Sequence, residues 1–142
     1  MKVTLKRVDD AFHFEAMGVS GVPNHIDANP EIGGANAGAR PMEMLLMGLG
    51  GCSAIDVILI LKKQRQVLED IQIEVSGERQ KIEGTEMSPF TSMHIHFILT
   101  GDLDTQKVEK AIQMSMEKYC SATAQFQSSA QITHSFDIRS SH

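Results

Sequence analysis

From Met44 to Leu61 nearly every residue is apolar, within the longer stretch RPMEMLLMGLGGCSAIDVILILKK that runs from Arg40 to Lys63. Pro41 suits the first position of a helix, where its missing N–H costs nothing, and Glu43 suits the positive end of the helix dipole. A helix is therefore expected to begin at Pro41. A helix that is apolar all round must be covered all round, by its own domain or by a second subunit. At about 100° per residue, Leu45, Gly48, Leu49, Ile55, Asp56 and Leu59 fall on the side of Cys52, so the thiol should face a largely apolar surface. The run approaches the length of a membrane span, but Ser53, Asp56 and three glycines speak against one, and no membrane partner is expected. Gly48, Gly50 and Gly51 each cost about 1 kcal/mol relative to Ala in a helix. Either another backbone approaches closely there, or the helix breaks near Gly50 and Gly51 and leaves Cys52 at a new helix N-terminus, where a thiol becomes more acidic.

The flanking segments carry shorter periods. Val3 and Leu5 alternate with Thr4 and Lys6 in Lys2 to Val8, Ala11 to Met17 follows Asp9-Asp10, and the pair reads as a hairpin. A Gly-, Asn- and Pro-rich connection from Gly18 to Ala39 is long for a compact domain, with room for a short strand from Asn24 to Ala28, and long loops often carry function. After the helix, Ile71, Ile73 and Val75 alternate with Gln72, Glu74 and Ser76, and Met93, Ile95, Phe97 and Leu99 with His94, His96 and Ile98, predicting two antiparallel strands joined by a turn from Gly84 to Pro89. Asp104 is a good N-cap for a second helix in which Val108, Ala111, Ile112, Ser115, Met116 and Tyr119 share one face and Cys120 closes the last turn. Ile132, His134, Phe136 and Ile138 form a closing strand. The order ββ(β)–α–ββ–α–β predicts an α+β domain whose sheet packs on two helices.

With 142 residues the chain suits a single domain, residues 1–142, and its net charge of −5, without a basic cluster, excludes a nucleic-acid partner. The N-terminal MKVTLKRVDDAF lacks the apolar segment of a secretory signal, so the expected location is cytoplasmic. Two cysteines in that reducing compartment are expected to be reduced or redox-active.

Cys52 is a candidate nucleophile, although free cysteine is also among the most buried residue types. Cys120 adds what a sulfenic acid needs to condense to a reversible disulfide. His13, His94, His96 and His134 raise a metal site; His94 and His96 share a strand face, but no further Cys/His/Asp spacing completes a ligand set. No metal is expected, and the histidines are placed on the solvent face of an antiparallel sheet. Asp56, one turn after Cys52, would raise the thiol pKa. Arg40 is either a cation that lowers it or a solvated residue before the helix, and Glu43 is either catalytic or a helix-start carboxylate.

The central helix sequence, together with KYCSATAQF around the second cysteine, resembles the OsmC/Ohr family (osmotically inducible protein C and organic hydroperoxide resistance protein), in its YhfA-like branch. The resemblance covers essentially the whole chain. It implies an intertwined homodimer with antiparallel sheets wrapped around the paired central helices and active sites at the subunit interface. It also implies a thiol-dependent peroxidase without a cofactor: Cys52 attacks an organic or hydrogen peroxide, Cys120 resolves the sulfenic acid, and an external dithiol such as a lipoylated protein reduces the disulfide. Two positions depart from the hydroperoxide-reducing branch. Met42, not a glutamate, follows Pro41, with Glu43 one residue later and so turned by about 100°. No arginine lies between Arg7 and Arg40 to match the branch's activating arginine. These departures favour the alternative, a non-catalytic member that binds a small molecule or responds to redox state.

Overall fold

The computed structural model describes residues 1–141 as two compact units, Met1–Leu45 and Leu46 onward. In the first, β1 (Thr4–Arg7), β2 (Phe14–Met17) and β3 (Asn24–Ile26) form an antiparallel sheet in that order. The β1–β2 hairpin and the short third strand are those the alternation predicts. Asp9 shapes the turn, its Oδ1 accepting from the N–H groups of Ala11 and His13.

The long connection after β3 is built around one buried carboxylate. Asp27 Oδ1 accepts from Ala28 N–H at 2.7 Å, and Oδ2 from Ala35 N–H at 2.9 Å and Ala37 N–H at 3.1 Å. Glycine is required where this loop folds back: a Cβ on Gly34 would strike the Ala28 carbonyl and one on Gly38 the His25 carbonyl. The Ala37 N–H above all, acting against burial and helped by Ala28, Ala35 and His13, holds the Asp27 carboxyl below the ordinary carboxylate value of 3.8. A depressed folded-state pKa contributes stability above the unfolded value that is lost as pH falls through the folded one. Asp27→Asn is therefore expected to speed hydrogen exchange across residues 28–39 several-fold at neutral pH. In the wild type the same protection fades only below pH 3.8. Exchange unchanged by the substitution would refute this role.

From Pro41 to Lys63 runs one unbroken helix, α1. Glu43 Oε1 accepts from the Arg40 backbone N–H at 2.9 Å, a capping-box bond at the helix start. Of the two alternatives open for these glycines, the break at Gly50 and Gly51 does not occur; close approach explains Gly50, where a Cβ would lie 2.8 Å from Val75 Cγ2. The expectation of cover on all sides also fails within the chain. Leu49, Gly50, Ser53, Val57, Ile60 and Leu61 form one buried arc, while Met47, Ile55, Ile58 and Leu59 on the opposite arc are exposed. Gly48 and Gly51 lie in that exposed arc, and a Cβ on either would meet nothing within 4 Å.

In the second unit β4 (Asp70–Arg79), β5 (Phe90–Thr100) and β6 (Gln131–Arg139) form a sheet in that order. β4 and β5 are antiparallel as expected, whereas β6 runs parallel to β5, which it reaches through the intervening helices. Met93, Ile95, Phe97 and Leu99 are buried on the core face, together with α1 and with Val108, Ala111 and Ile112 of α2 (Thr105–Met114). Asp104 caps α2, accepting from Gln106 N–H and Lys107 N–H.

Two expectations need correction here. The second helix does not run regularly to Cys120: α2 ends at Met114, residues Ser115–Tyr119 form a π turn, and a short helix α3 (Ser121–Phe126) follows. The wider turn carries Tyr119 off the buried face and leaves it exposed. His94 and His96 lie on β5 of a mixed rather than purely antiparallel sheet, with β4 antiparallel on one side and β6 parallel on the other, and are half-buried. They join a chain of hydrogen bonds from Thr133 through His94, Ser135 and His96 to Asp137, with contacts of 2.7 to 3.1 Å. His13 instead meets His25 at 2.9 Å.

Candidate active site: two thiols at the flank of the central helix

The buried arc of α1 packs on the sheet and the opposite arc is bare, and Cys52 and Asp56, one turn apart, mark the border between them. Cys120 arrives from the other side. It is not helical: the π turn closes with the Cys120 N–H donating to the Ser115 carbonyl at 2.7 Å, and the residue then caps α3 in an extended conformation. Such wide turns occur often where a side chain must be aimed at a functional site.

The result brings Cys52, Asp56 and Cys120 together, with one donor atom from each lying within 4.8 Å of the others. Both cysteines are free thiols, Cys52 half-buried and Cys120 only 4% exposed. Ser53 Oγ lies 3.3 Å from the Cys120 sulfur, and the Thr123 N–H donates to that sulfur at 3.3 Å. Ser115 Oγ donates to Asp56 Oδ2 at 3.2 Å. The backbone N–H of Ala122 faces Cys52, so two successive amides of the first turn of α3 are aimed at the two sulfurs.

These neighbours act on the two thiols in opposite directions. Burial pushes Cys52 up; the Ala122 amide opposes it, while Cys120 and the Asp56 charge push the same way as burial. Burial also pushes against ionisation of Cys120, but the hydroxyl of Ser53, the hydroxyl and amide of Thr123 and the Cys52 thiol outweigh it, and Cys120 is drawn below its ordinary value. Of the reduced pair Cys120 is thus the more acidic thiol and Cys52 the less acidic. Among the described residues, no cation figures among the main influences on Cys52.

Arg40 and Glu43 belong to the N-terminal unit. Besides the capping bond, the Arg40 guanidinium bonds Asn36 Oδ1 at 2.8 Å and lies 3.9 Å from Glu43. Their common place is the start of the helix. Several neighbours of the thiols escaped sequence reasoning. Ser53, Ser115, Ala122 and Thr123 have no spacing that points to a thiol, and the π turn that aims Cys120 leaves no periodic trace. A cavity of about 230 Å³ also opens at Asp56, lined by Leu59, Ile60, Lys63, Gln64, Met114 and Tyr119. The Gln64 Oε1 there is buried and, among the described residues, has no hydrogen-bond partner.

Comparison with known proteins agrees with this architecture. The family model described as OsmC-like protein matches residues 33–135. Protein YhfA of Escherichia coli (strain K12) is 44% identical over 99 residues, spanning 69% of this chain and 72% of that protein. A crystal structure of a hypothetical protein from Aquifex aeolicus VF5 superposes with a TM-score of 0.83 at 29% identity, covering 99% of this chain and 97% of that one. The organic hydroperoxide resistance protein OhrB of Bacillus subtilis superposes with a TM-score of 0.69 at 20% identity, covering 96% of each chain, which is a likeness of fold. An α+β chain with two sheets, a long central helix and two adjacent cysteines, matched in this way, belongs to the OsmC-like protein family.

Proposed function

We propose that the protein is a cytoplasmic, thiol-dependent peroxidase that reduces organic or hydrogen peroxides without a cofactor. The observation that carries this reading is the adjacency of two reduced thiols, with donor atoms within 4.8 Å, beneath two backbone amides. Cys52, the more accessible sulfur, attacks the peroxide: its S–O bond forms as the O–O bond breaks, giving Cys52 sulfenic acid and an alcohol or water. Cys120 serves first as acceptor of the Cys52 proton, a role that its hydrogen bonds and its acidity support. It then displaces water from the sulfenic acid to give the disulfide. An external dithiol, such as that of a lipoylated protein, takes up the two oxidising equivalents by thiol–disulfide exchange.

The working unit in this proposal is a homodimer joined along the bare arc of α1, a reading supported by its exposed Ile55, Ile58 and Leu59 and by the open surfaces of Gly48 and Gly51. Arg40 and Glu43 are assigned a supporting catalytic role from the helix start, which Arg40→Ala and Glu43→Gln separate from simple capping by comparing kcat with stability.

One equivalent of cumene hydroperoxide added to the reduced protein is expected to give a Cys52–Cys120 disulfide by peptide mass spectrometry. Free thiols after that treatment would overturn the proposal. A second reading, a non-catalytic small-molecule-binding or redox-responsive protein, is favoured by the cavity at Asp56 and, among the described residues, by the unpartnered Gln64 oxygen there and the lack of a cation among the main influences on Cys52.

A further inference from the structure

Asp56 has no place in the thiol chemistry above, and its charge opposes ionisation of Cys52. Among the described residues it forms no ion pair with Lys, Arg or His. It nevertheless stands beside both sulfurs; Ser115 Oγ holds one of its oxygens, and the other has no hydrogen-bond partner among the described residues. Three groups that are all anionic when deprotonated thus converge at one half-buried point. A cation between them would remove their mutual repulsion.

We propose that Cys52, Asp56 and Cys120 form a binding site for one zinc ion per chain, occupied only while both thiols are reduced. The donor set selects the metal: two thiolates and one carboxylate suit zinc, whereas magnesium and calcium take oxygen ligands. The geometry is close to what the ion requires. Zn–S bonds of about 2.3 Å and Zn–O bonds of about 2.1 Å place tetrahedral donors roughly 3.5–4 Å apart. The three donor atoms, within 4.8 Å of one another, need to close by at most about 1.3 Å, within the reach of side-chain rotation.

The supports of a metal site are present as well. Cys52 and Asp56 project from one rigid helix at a spacing of one turn, and Cys120 is held by the π turn. The next layer of groups orients two of the three ligands: Ser115 on Asp56, and Ser53 and Thr123 on Cys120. The cavity that Asp56 helps to line gives that ligand an opening to solvent.

Binding by the reduced protein does not depend on peroxide being the substrate; release on oxidation does rest on the function proposed above. The release step balances with the peroxide as oxidant. The two zinc-bound thiolates give up two electrons and form the S–S bond, the peroxide takes those electrons with two protons to become alcohol and water, and the ion departs as Zn²⁺. A disulfide retains no thiolate to hold it.

The test uses the reduced, metal-free full chain titrated with Zn²⁺ and, for its spectrum, with Co²⁺. One ion per chain is expected, and Co²⁺ should show thiolate charge-transfer absorption and the visible bands of a tetrahedral site. Asp56→Ala, which leaves both thiols in place, should weaken Zn²⁺ binding by about ten- to a hundredfold, and Cys52→Ser, which leaves one thiolate, should cut the charge-transfer absorption by about half or more. A reduced protein that binds no Zn²⁺, or binds it equally well after Asp56→Ala with its fold intact by circular dichroism, overturns the site. Addition of cumene hydroperoxide to the zinc-loaded protein should then release one ion per disulfide, read with a chromogenic chelator. Zinc that binds as described but stays bound, with both thiols intact after peroxide, overturns the release step and the peroxidase reading while leaving the site established.

Discussion

Cys52→Ser is expected to reduce peroxide consumption to the rate seen without protein, while Cys120→Ser still performs one attack and then stops. The difference follows from access and from the order of the two steps. Cys52 is half-buried at the edge of the bare arc, whereas Cys120 is 4% exposed behind it. Without Cys120 the sulfenic acid on Cys52 has no internal thiol to condense with, so it should accumulate and be trapped by dimedone, with a mass adduct on the peptide carrying Cys52. The first attack should also slow in that variant, because the acceptor for the Cys52 proton is gone. The acidity of the pair makes this a sharp test: Cys120 is the more acidic thiol, and acidity alone would make it the attacking one. A sulfenic acid found on Cys120 in Cys52→Ser, with Cys120→Ser inert to peroxide, would reverse the two roles.

Ile58→Asp should convert a dimer into a single chain in solution, measured by light scattering on a sizing column. Ile55, Ile58 and Leu59 are 60%, 41% and 54% exposed along the bare arc of α1. Burying such a side chain fully is worth about 1.5–3 kcal/mol, and a two-fold interface loses the contribution of Ile58 twice. The expected weakening is on the order of a hundred- to ten-thousandfold in the dissociation constant. The chain's own core should be untouched, because Leu49, Val57, Ile60 and Leu61 lie on the other arc. A wild-type protein with the mass of one chain, or a variant that stays dimeric, would remove the dimer from the proposal.

How far these features could be read in advance depends on the range of the forces behind them. Period-two alternation in 71–75 and 93–99, Pro41 and Glu43 at a helix start, and Asp104 at an N-cap are local signals, and each element stands where its signal lies. Gly50 was legible only as a demand for space, since a close neighbour and a broken helix carry the same local mark. Its actual cause, Val75, lies on β4. The pairing of β6 with β5 depends on the crossover between them and has no mark in either strand. The site divides in the same way. Both cysteines stood out by residue type, and the effect of Asp56 on Cys52 followed from helical spacing. The meeting of Cys120 with Ser53, and of Asp56 with Ser115, joins residues 67 and 59 positions apart. Tyr119 departs from the face its spacing predicts because the segment Ser115–Tyr119 winds more widely than a regular helix.

That wider winding has a bearing on how relatives should be aligned. Its hydrogen bond spans five residues where an α-helix spans four, so the segment holds one residue more than a regular helix would need to cover the same arc. A relative whose helix passes this point with regular turns should align with a one-residue gap between Met114 and its second cysteine. An ungapped alignment would instead pair each side chain before that cysteine with a neighbour rotated by about 100°.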